Sequence, residues 1–403
     1  MNVRPSAATL RAGGQVMLRI PVEAGIAAGA PAWIEVDLAA VAHNVREFVR
    51  FLPSGCQLIA VVKANAYGHG ATRIARAALQ AGASSLAVGS VAEGVELREA
   101  GIVGPILVVG PMVPEQARDA IAFSLVPGLG SFDVLRAFAS HAFRPVPVQV
   151  EVDTGMHRHG VPAARLGELI AELRLRARLE LQGIYTHFAA IATDAIATIH
   201  SQLQTFVRTL AHVRDLGTAQ RHACNTLGAL VCPAAHLDAV RIGGGLYGFD
   251  PLRGAGAVHL RPVLSLKARL VGLRDAAVGE AVGYGGTFVC ERPSRLALLP
   301  LGYADGLSRS LWQGAPVLVR GRRAPIVGLV SMNQTIVDVT EVPDARLGDE
   351  CVLLGAQGGE CVRAEERVPP GGSTYEVTAL LRPGLPRRCL GGDTAGSSVP
   401  TRR

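Results

Sequence analysis

Short, almost entirely apolar runs alternate with amphipathic segments through the first two thirds of the chain. Continuous apolar runs are typical of strands buried on both faces, as in a parallel sheet that helices cover. The segments between them, such as ATRIARAALQAGA and AARLGELIAELRLRA, have apolar residues at helical spacing. The runs are LIAVVK (58–63), SLAVGS (85–90), PILVVG (105–110), FSLVPG (123–128), VPVQVEVD (146–153), LQGIYTHF (181–188), RHACNT (221–226) and AVRIGG (239–244).

Eight strand–helix repeats over roughly 210 residues match an α/β fold of the (β/α)₈ TIM-barrel type in number and length. We assign residues 32–262 to this barrel and include the alternating strand pattern WIEVDL that opens it. A doubly wound open sheet is the alternative. No G-x-G-x-x-G opens a helix after the first strand, which disfavours that alternative.

The pattern changes after residue 262. Strand-like segments punctuated by Gly and Pro replace the helical stretches, apart from TYEVTALLR near 374–382. Residues 263–390 are therefore predicted to form a mainly β C-terminal domain. Residues 1–31 are predicted to be a flexible N-terminal extension, and the small polar residues 391–403 a disordered tail.

Composition excludes several classes of protein. The 403 residues are 49% hydrophobic and 18% charged, which indicates a globular chain. No stretch approaches about 18 uncharged apolar residues, so no membrane span is predicted. The net charge is +7, but the basic residues are dispersed, so we expect no nucleic-acid partner.

The cysteines and the N-terminus bear on location. Seven cysteines without C-x-x-C spacing indicate a reducing compartment and no metal site, so a cytoplasmic location is predicted. Periplasmic secretion is the alternative, because GAPA near position 32 resembles a cleavage site. Glu23, however, interrupts the apolar core that a signal peptide needs.

Lysine is scarce in this chain. Of 40 basic residues, 38 are arginine, and only Lys63 and Lys267 are lysine. Lys63 ends the first apolar run, where catalytic groups of barrels lie, and a buried lysine is costly unless it is paired or neutral. We therefore predict that Lys63 is a nucleophilic amine, with a lysine that reaches the surface as the alternative. Lys267 falls in an alternating strand and is predicted to face solvent.

The other strand ends supply a set of polar residues. The glycine run 243–245 follows the last barrel strand, where barrels commonly bind phosphate, although glycine clusters also form plain turns. A reactive lysine at the first strand and a phosphate site at the last one lie side by side in a closed barrel. Together they predict pyridoxal 5'-phosphate (PLP) as the cofactor. The polar strand ends are Lys63, Asp153 leading to Arg158, His187, Asn225 with Thr226, and Arg241.

A series of short motifs recurs along the chain between Trp33 and Arg388. The motifs are KANAYGHG (63–70), VDTGMHR (152–158), THF (186–188), CNT (224–226), RIG (241–243), LYG (246–248), GYG (283–285), GYADG (302–306), SMN (331–333) and Tyr375-Glu376. In content and order these motifs resemble the alanine racemase family, which combines PLP, a barrel and a β domain.

The resemblance implies that L-alanine and D-alanine are interconverted by two bases, supplying D-alanine for peptidoglycan. Lys63 would act on the D side, and Tyr284 on the L side from the partner subunit of a homodimer. His187 and Arg241 would lie near the Tyr284 phenol. Arg241 would face the pyridine nitrogen and leave it unprotonated, which favours racemisation over transamination.

The resemblance also assigns binding roles. Arg158 would bind the carboxylate of a small amino-acid substrate, as would the backbone N–H of Met332 of the partner subunit, and Tyr303 would line the entrance. The cofactor-binding residues by this match are Lys63, Tyr67, Arg158, His187, Asn225, Thr226, Arg241, Gly243, Gly244 and Tyr375.

Departures from the family pattern keep alternatives open. Glu151 replaces a lysine that becomes carbamylated in many relatives, and we hypothesise that its carboxylate orients Arg158 instead. Asn333 replaces an aspartate and His159 a leucine, which bears on substrate range. The alternatives are a broad-specificity, serine or lysine racemase of the same fold, a barrel-type decarboxylase, and a non-catalytic PLP-binding barrel.

Overall fold

The computed structural model describes residues 29–191, 196–214, 216–369 and 371–391. Most of the predicted extension 1–31 and tail 391–403 therefore lies outside the described residues. The described chain divides into two compact units. We call residues 36–264, 363–381 and 389–391 the barrel unit, and residues 29–35, 265–362 and 382–388 the β unit.

Strands and helices alternate as far as residue 242. The strands are β1 Ala32–Asp37, β2 Gln57–Val61, β3 Ser85–Val88, β4 Ile106–Val108, β5 Val126–Leu129, β6 Val146–Asp153, β7 Val161–Pro162, β8 Leu179–Tyr185, β9 Gln220–His222 and β10 Ala239–Ile242. The helices are α1 Leu38–Phe51, α2 Lys63–Tyr67, α3 Ala71–Ala81, α4 Val91–Glu99, α5 Ala117–Ala122, α6 Phe132–His141, α7 Leu166–Arg174, α8 Ile196–His212 and α9 Thr226–Val231.

Eight of these strands close into a parallel barrel, in the order β5-β4-β3-β2-β10-β9-β8-β6, with β5 paired to β6. Closure between the first and last barrel strands places Arg241 opposite Ile59. Inside, Ile59, Val61, Ala87 and Leu107 belong to one buried apolar cluster. The predicted (β/α)₈ barrel is confirmed, because an open sheet would leave β5 and β6 unpaired with each other.

The rest of the chain is mainly β, as predicted. The strands are β11 Leu264–Arg269, β12 Gly272–Ala276, β13 Ala281–Val282, β14 Phe288–Val289, β15 Ser294–Leu299, β16 Pro316–Val319, β17 Arg322–Pro325, β18 Thr335–Asp338, β19 Glu350–Gln357, β20 Glu360–Val362 and β21 Arg387–Leu390, and α10 is Thr374–Ala379. The largest sheet outside the barrel has the order β17-β16-β19-β11-β1-β21, with β20 on β19. Among the described helices of both units, none is long and apolar enough to cross a membrane.

Two segments lie differently from the predicted division at residue 262. Strand β1 joins the sheet outside the barrel, between β11 and β21, and the barrel closes with eight later strands. Residues 363–381, which include α10, group with the barrel unit. The backbone of α10 packs closely against the residue that follows α2, since a Cβ on Gly68 would lie 1.9 Å from the carbonyl oxygen of Thr378.

Lys267 on β11 corrects the prediction of a solvent-facing lysine. Its Nζ lies 2.9 Å from Glu35 Oε2 and 3.2 Å from Glu350 Oε1, and its side chain is 15% exposed. The neighbouring strands β1 and β19 each contribute one carboxylate. These bonds outweigh partial burial and raise the pKa of Lys267, so this lysine is a charged structural residue.

Candidate active site at the carboxyl end of the barrel

Lys63 begins α2 directly after the first barrel strand, and the turn that follows it is left-handed. Ala64, Asn65, Ala66 and Tyr67 have φ values of 52° to 53°. A left-handed turn costs L-residues about 1–2 kcal/mol per residue, so the surroundings must hold it. The Asn65 side chain does part of this, since its Oδ1 accepts the Ala71 N–H at 2.9 Å.

The surroundings of Lys63 favour its neutral amine. Burial lowers its pKa most, and the charges of Arg158 and Arg241 lower it further, while Glu93 raises it. A lysine with a lowered pKa has more of the unprotonated form, which is the nucleophile. Burial and two neighbouring arginines are therefore the surroundings of Lys63, and its role as a nucleophilic amine stays a prediction.

Arg241 lies at the end of β10 and is 4% exposed. Several hydrogen bonds hold its guanidinium. Its Nη2 donates to the carbonyl oxygens of Thr186 at 2.7 Å and Ala223 at 3.0 Å, and lies 3.3 Å from His187 Nδ1. Its Nη1 contacts His222 Nδ1. These contacts fix the guanidinium, and they bring the predicted residues His187 and Arg241 together.

His222 is a site residue that sequence reasoning missed. Its ring Nε2 lies 2.8 Å from Gln149 Oε1, so Nε2–H donates to Gln149 and Nδ1 accepts from Arg241. The ring also stacks on Tyr185 at a centroid distance of 4.9 Å. The only sequence signal was its place at the end of β9, in the run RHACNT.

Both histidines are kept neutral. Burial first, and then the charges of Arg241, Arg158 and Lys63, lower the pKa of His187 to about 3. Burial and Arg241 lower the pKa of His222 as well. A neutral imidazole beside a permanent guanidinium can accept a hydrogen bond, which an imidazolium cannot.

Hydroxyl groups converge on the glycine run after β10. Thr226 Oγ1 accepts the N–H of Gly243 at 3.2 Å and that of Gly245 at 3.3 Å. A Cβ on Gly243 would lie 2.5 Å from the Tyr67 hydroxyl, and one on Gly244 would lie 2.6 Å from the Tyr375 ring. Only glycine permits these approaches.

The two phenols stay protonated. Burial raises the pKa of Tyr67 and also that of Tyr375 on α10. Neutral phenols are hydrogen-bond donors, and with Thr226 they provide three hydroxyls beside a glycine backbone. Such a group can bind a phosphate. Asn225 lies next to it and caps α9, because its Oδ1 accepts the Gly228 N–H at 2.9 Å.

The loop after β6 carries Arg158. Asp153 Oδ1 accepts the N–H groups of Gly155, Met156 and His157 at 2.9–3.1 Å, which shapes the loop. Arg158 itself is exposed.

Glu151 is buried, with 5% of its surface exposed. It accepts the Tyr185 hydroxyl at 3.0 Å and lies 3.9 Å from His159 Nε2. Within the described ranges, no ion pair joins Glu151 to Arg158, so direct orientation of Arg158 by Glu151 has no contact to support it. Burial raises the pKa of Glu151 despite these neighbours.

The remaining predicted residues lie on the β unit and are large exposed side chains. Tyr284 is 71% exposed, Met332 57% and Tyr303 42%. The backbone brings two of them together, since the Ala304 N–H donates to the Met332 carbonyl at 2.9 Å and the Tyr303 N–H to that of Ser331 at 3.0 Å.

Comparison with known proteins matches both units. The family model for the alanine racemase N-terminal domain matches residues 36–251, and that for the C-terminal domain matches residues 263–389. An alanine racemase of Syntrophobacter fumaroxidans is 41% identical, covering 86% of this chain and 94% of its own.

Solved structures agree with this result. The crystal structure of alanine racemase from E. faecalis has a TM-score of 0.84 at 31% identity, covering 91% of this chain and 100% of its own. A histidine racemase from Leuconostoc mesenteroides subsp. sake has a TM-score of 0.83 at 28% identity, covering 91% and 99%. With both family domains matched in order along its length, the chain belongs to the alanine racemase family.

Proposed function

We propose that this protein uses PLP to interconvert L-alanine and D-alanine. The observation that carries the proposal is the position of Lys63: a half-buried amine with a lowered pKa lies one strand away from the hydroxyls and glycines around Gly243. The names of the relatives support the reaction. When bound, PLP supplies the electron sink that lets an amino acid lose its α-proton.

The residues present fit this cofactor. Tyr67, Thr226 and Tyr375 would donate hydrogen bonds to its phosphate, and Gly243 and Gly244 leave room because they lack side chains. Lys63 Nζ would attach to the cofactor. His187 and Asn225 complete the proposed binding set, with Arg158 directed at the phenolic oxygen.

Arg241 is proposed to face the ring nitrogen of the cofactor. Its guanidinium keeps its protons at any working pH, so it offers that nitrogen no acid. The carbonyls of Thr186 and Ala223 and the neutral ring of His222 hold it in place. This arrangement favours return of the proton to the α-carbon, which is the requirement of a racemase.

Two bases are needed, one on each face of the planar carbanion. Lys63 Nζ would carry the proton on the D side. The Tyr284 hydroxyl of a partner subunit would carry it on the L side, and its large exposed fraction suits a group supplied to another chain. Arg158, together with the backbone N–H of Met332 of the partner subunit, would bind the substrate carboxylate, and Tyr303 would line the entrance.

A racemase with a wider substrate range is the second candidate. The similarity to a protein named histidine racemase favours it, as does Asn333 in place of the usual aspartate. Chiral chromatography after incubation with each L-amino acid separates the two. The D form of alanine alone supports the first proposal, and the D forms of larger residues support the second.

The proposed setting is the cytoplasm, with the product consumed in peptidoglycan synthesis. All seven cysteines are free thiols, which suits a reducing compartment. We also propose a homodimer in which each active site contains residues of both subunits.

The two lysines allow a direct test of the amine. Lys63→Ala is expected to abolish both racemisation and the visible absorption band that PLP forms with a lysine, because it removes the attached amine. Lys267→Ala is the matched control. It should keep the band and lose stability, since it breaks the ion pairs to Glu35 and Glu350. A band that survives Lys63→Ala and disappears in Lys267→Ala would overturn the assignment.

His187 predicts a pH dependence of stability. Its pKa is about 3 in the folded chain and near ~6.5 when unfolded. Between these values the unfolded state binds the extra proton, so the free energy of unfolding falls as the pH falls.

Urea unfolding at pH 7 and pH 5.5 measures this effect. Wild type should lose about 1 kcal/mol more than His187→Gln over this interval. His200→Gln, which removes an exposed histidine, should behave as wild type. Equal losses in wild type and His187→Gln would show that His187 is not held neutral.

Mixing Lys63→Ala with Tyr284→Phe tests the shared sites. Each variant alone lacks one base, but a hybrid dimer contains one site with both native bases, so random exchange should restore up to about a quarter of wild-type activity. A mixture of Lys63→Ala with Lys63→Arg should restore none. Absence of recovery after mass spectrometry has shown subunit exchange would count against the trans arrangement.

A further inference from the structure

The left-handed turn Ala64–Tyr67 needs more support than its own hydrogen bonds provide. Four consecutive residues without glycine adopt positive φ. Its backbone bonds are Ala66 N–H to Val62 O, Gly68 N–H to Ala64 O, Gly70 N–H to Asn65 O and His69 N–H to Ala66 O, at 2.9–3.0 Å. They resemble those of an ordinary turn and do not offset the strain of several left-handed residues. A partner outside the turn is therefore expected.

Glu93 is that partner. Its Oε1 accepts the Ala64 N–H at 2.7 Å, and its Oε2 accepts the Gly89 N–H at 2.6 Å. Gly89 follows β3, so one carboxylate joins the turn after β2 to the end of the next strand. Hydrogen bonds to a carboxylate are stronger than neutral ones. The Ser90 side chain fixes Glu93 in turn by accepting its backbone N–H at 3.2 Å.

The same carboxylate lies beside the stem of Lys63. A Cβ built on Gly89 would lie 3.3 Å from Glu93 Oε2 and 3.4 Å from Lys63 Cβ. The Glu93 carboxylate and the Lys63 side chain therefore both lie next to Gly89. Arg158, Arg241 and the neutral His187 also face the amine. Among the described groups that act on the charge of Lys63, Glu93 is the one carboxylate.

We propose that Glu93 is a positioning residue for Lys63. By bridging the amides of Ala64 and Gly89, it holds the left-handed turn and fixes where the lysine side chain leaves the strand. The inference rests on the proposed function only in taking Lys63 as the working amine. None of the motifs that carry the family resemblance contains Glu93.

The scarcity of lysine makes the test direct. Reductive methylation of the cofactor-free protein with ¹³C-formaldehyde labels the terminal amine, Lys63 and Lys267, and a Lys63→Arg sample assigns the signals. The variant is Glu93→Gln. Its matched control is Glu99→Gln, which removes an exposed carboxylate from the same helix.

Glu93→Gln should lower the titration midpoint of Lys63 by about one pH unit, because it removes the carboxylate that favours the charged amine. It should also speed amide exchange at Ala64 and Gly89 about tenfold, since a carboxamide places a donor against one of the two N–H groups. The Lys267 signal should not move. Glu99→Gln should match wild type in all three measurements.

An unchanged Lys63 midpoint with unchanged exchange in folded Glu93→Gln would overturn the proposal. Glu93→Asp serves if Glu93→Gln does not fold. It keeps the charge but is one methylene shorter, so exchange at Ala64 or Gly89 should rise while the Lys63 midpoint stays near wild type. Slow amide exchange at both Ala64 and Gly89 in Glu93→Asp would contradict a positioning role for Glu93. Unfolding of both Glu93→Gln and Glu93→Asp would also contradict it. Because no step uses the cofactor, failure here is distinct from failure of the proposed racemisation.

Discussion

Pairing of β10 with β2 is the constraint on which the site depends. Closure of the barrel at this seam places the last strand beside the first, so that Arg241 and the glycines after it lie next to the turn that begins at Lys63. The Tyr247 hydroxyl crosses the seam and donates to the Val61 carbonyl at 2.8 Å. Reactive amine and phosphate-binding groups are therefore neighbours although about 180 residues separate them in the chain.

The charges at this end of the barrel determine which ligands the site can bind. Arg158 and Arg241 bring positive charge to one end of the barrel, and this charge adds to burial in keeping the nearby histidines neutral. An anionic cofactor and a substrate carboxylate are the ligands that such a site stabilises. The neutral imidazole of His222 and two backbone carbonyls satisfy Arg241 without removing its charge, so the guanidinium stays available to a ligand.

The sequence predicted the features that depend on local pattern and missed those that depend on partners. Eight apolar runs became the eight barrel strands, because burial on both faces leaves a continuous signature. The alternation of β1 predicted a strand but could not show which sheet it joins. Lys267 looked exposed because its two carboxylate partners, although on adjacent strands, are distant in sequence.

The same distinction between local pattern and distant partners applies to the residues of the candidate site. Lys63, His187 and Arg241 could be predicted because strand ends in a barrel share one rim. His222 and Glu93 could not, since their importance comes from hydrogen bonds to Arg241 and to backbone amides. The sequence Ala-Asn-Ala-Tyr does not predict a left-handed turn, because it contains no glycine, the residue that adopts positive φ most readily. The roles of Tyr284, Tyr303 and Met332 stay predictions drawn from the family resemblance.

Exchange of the α-proton in deuterium oxide tests most directly whether one base serves each face. In Tyr284→Phe, Lys63 alone remains, so mass spectrometry should find deuterium entering D-alanine while L-alanine keeps its proton. Exchange of both enantiomers at similar rates in this variant would contradict the two-base account.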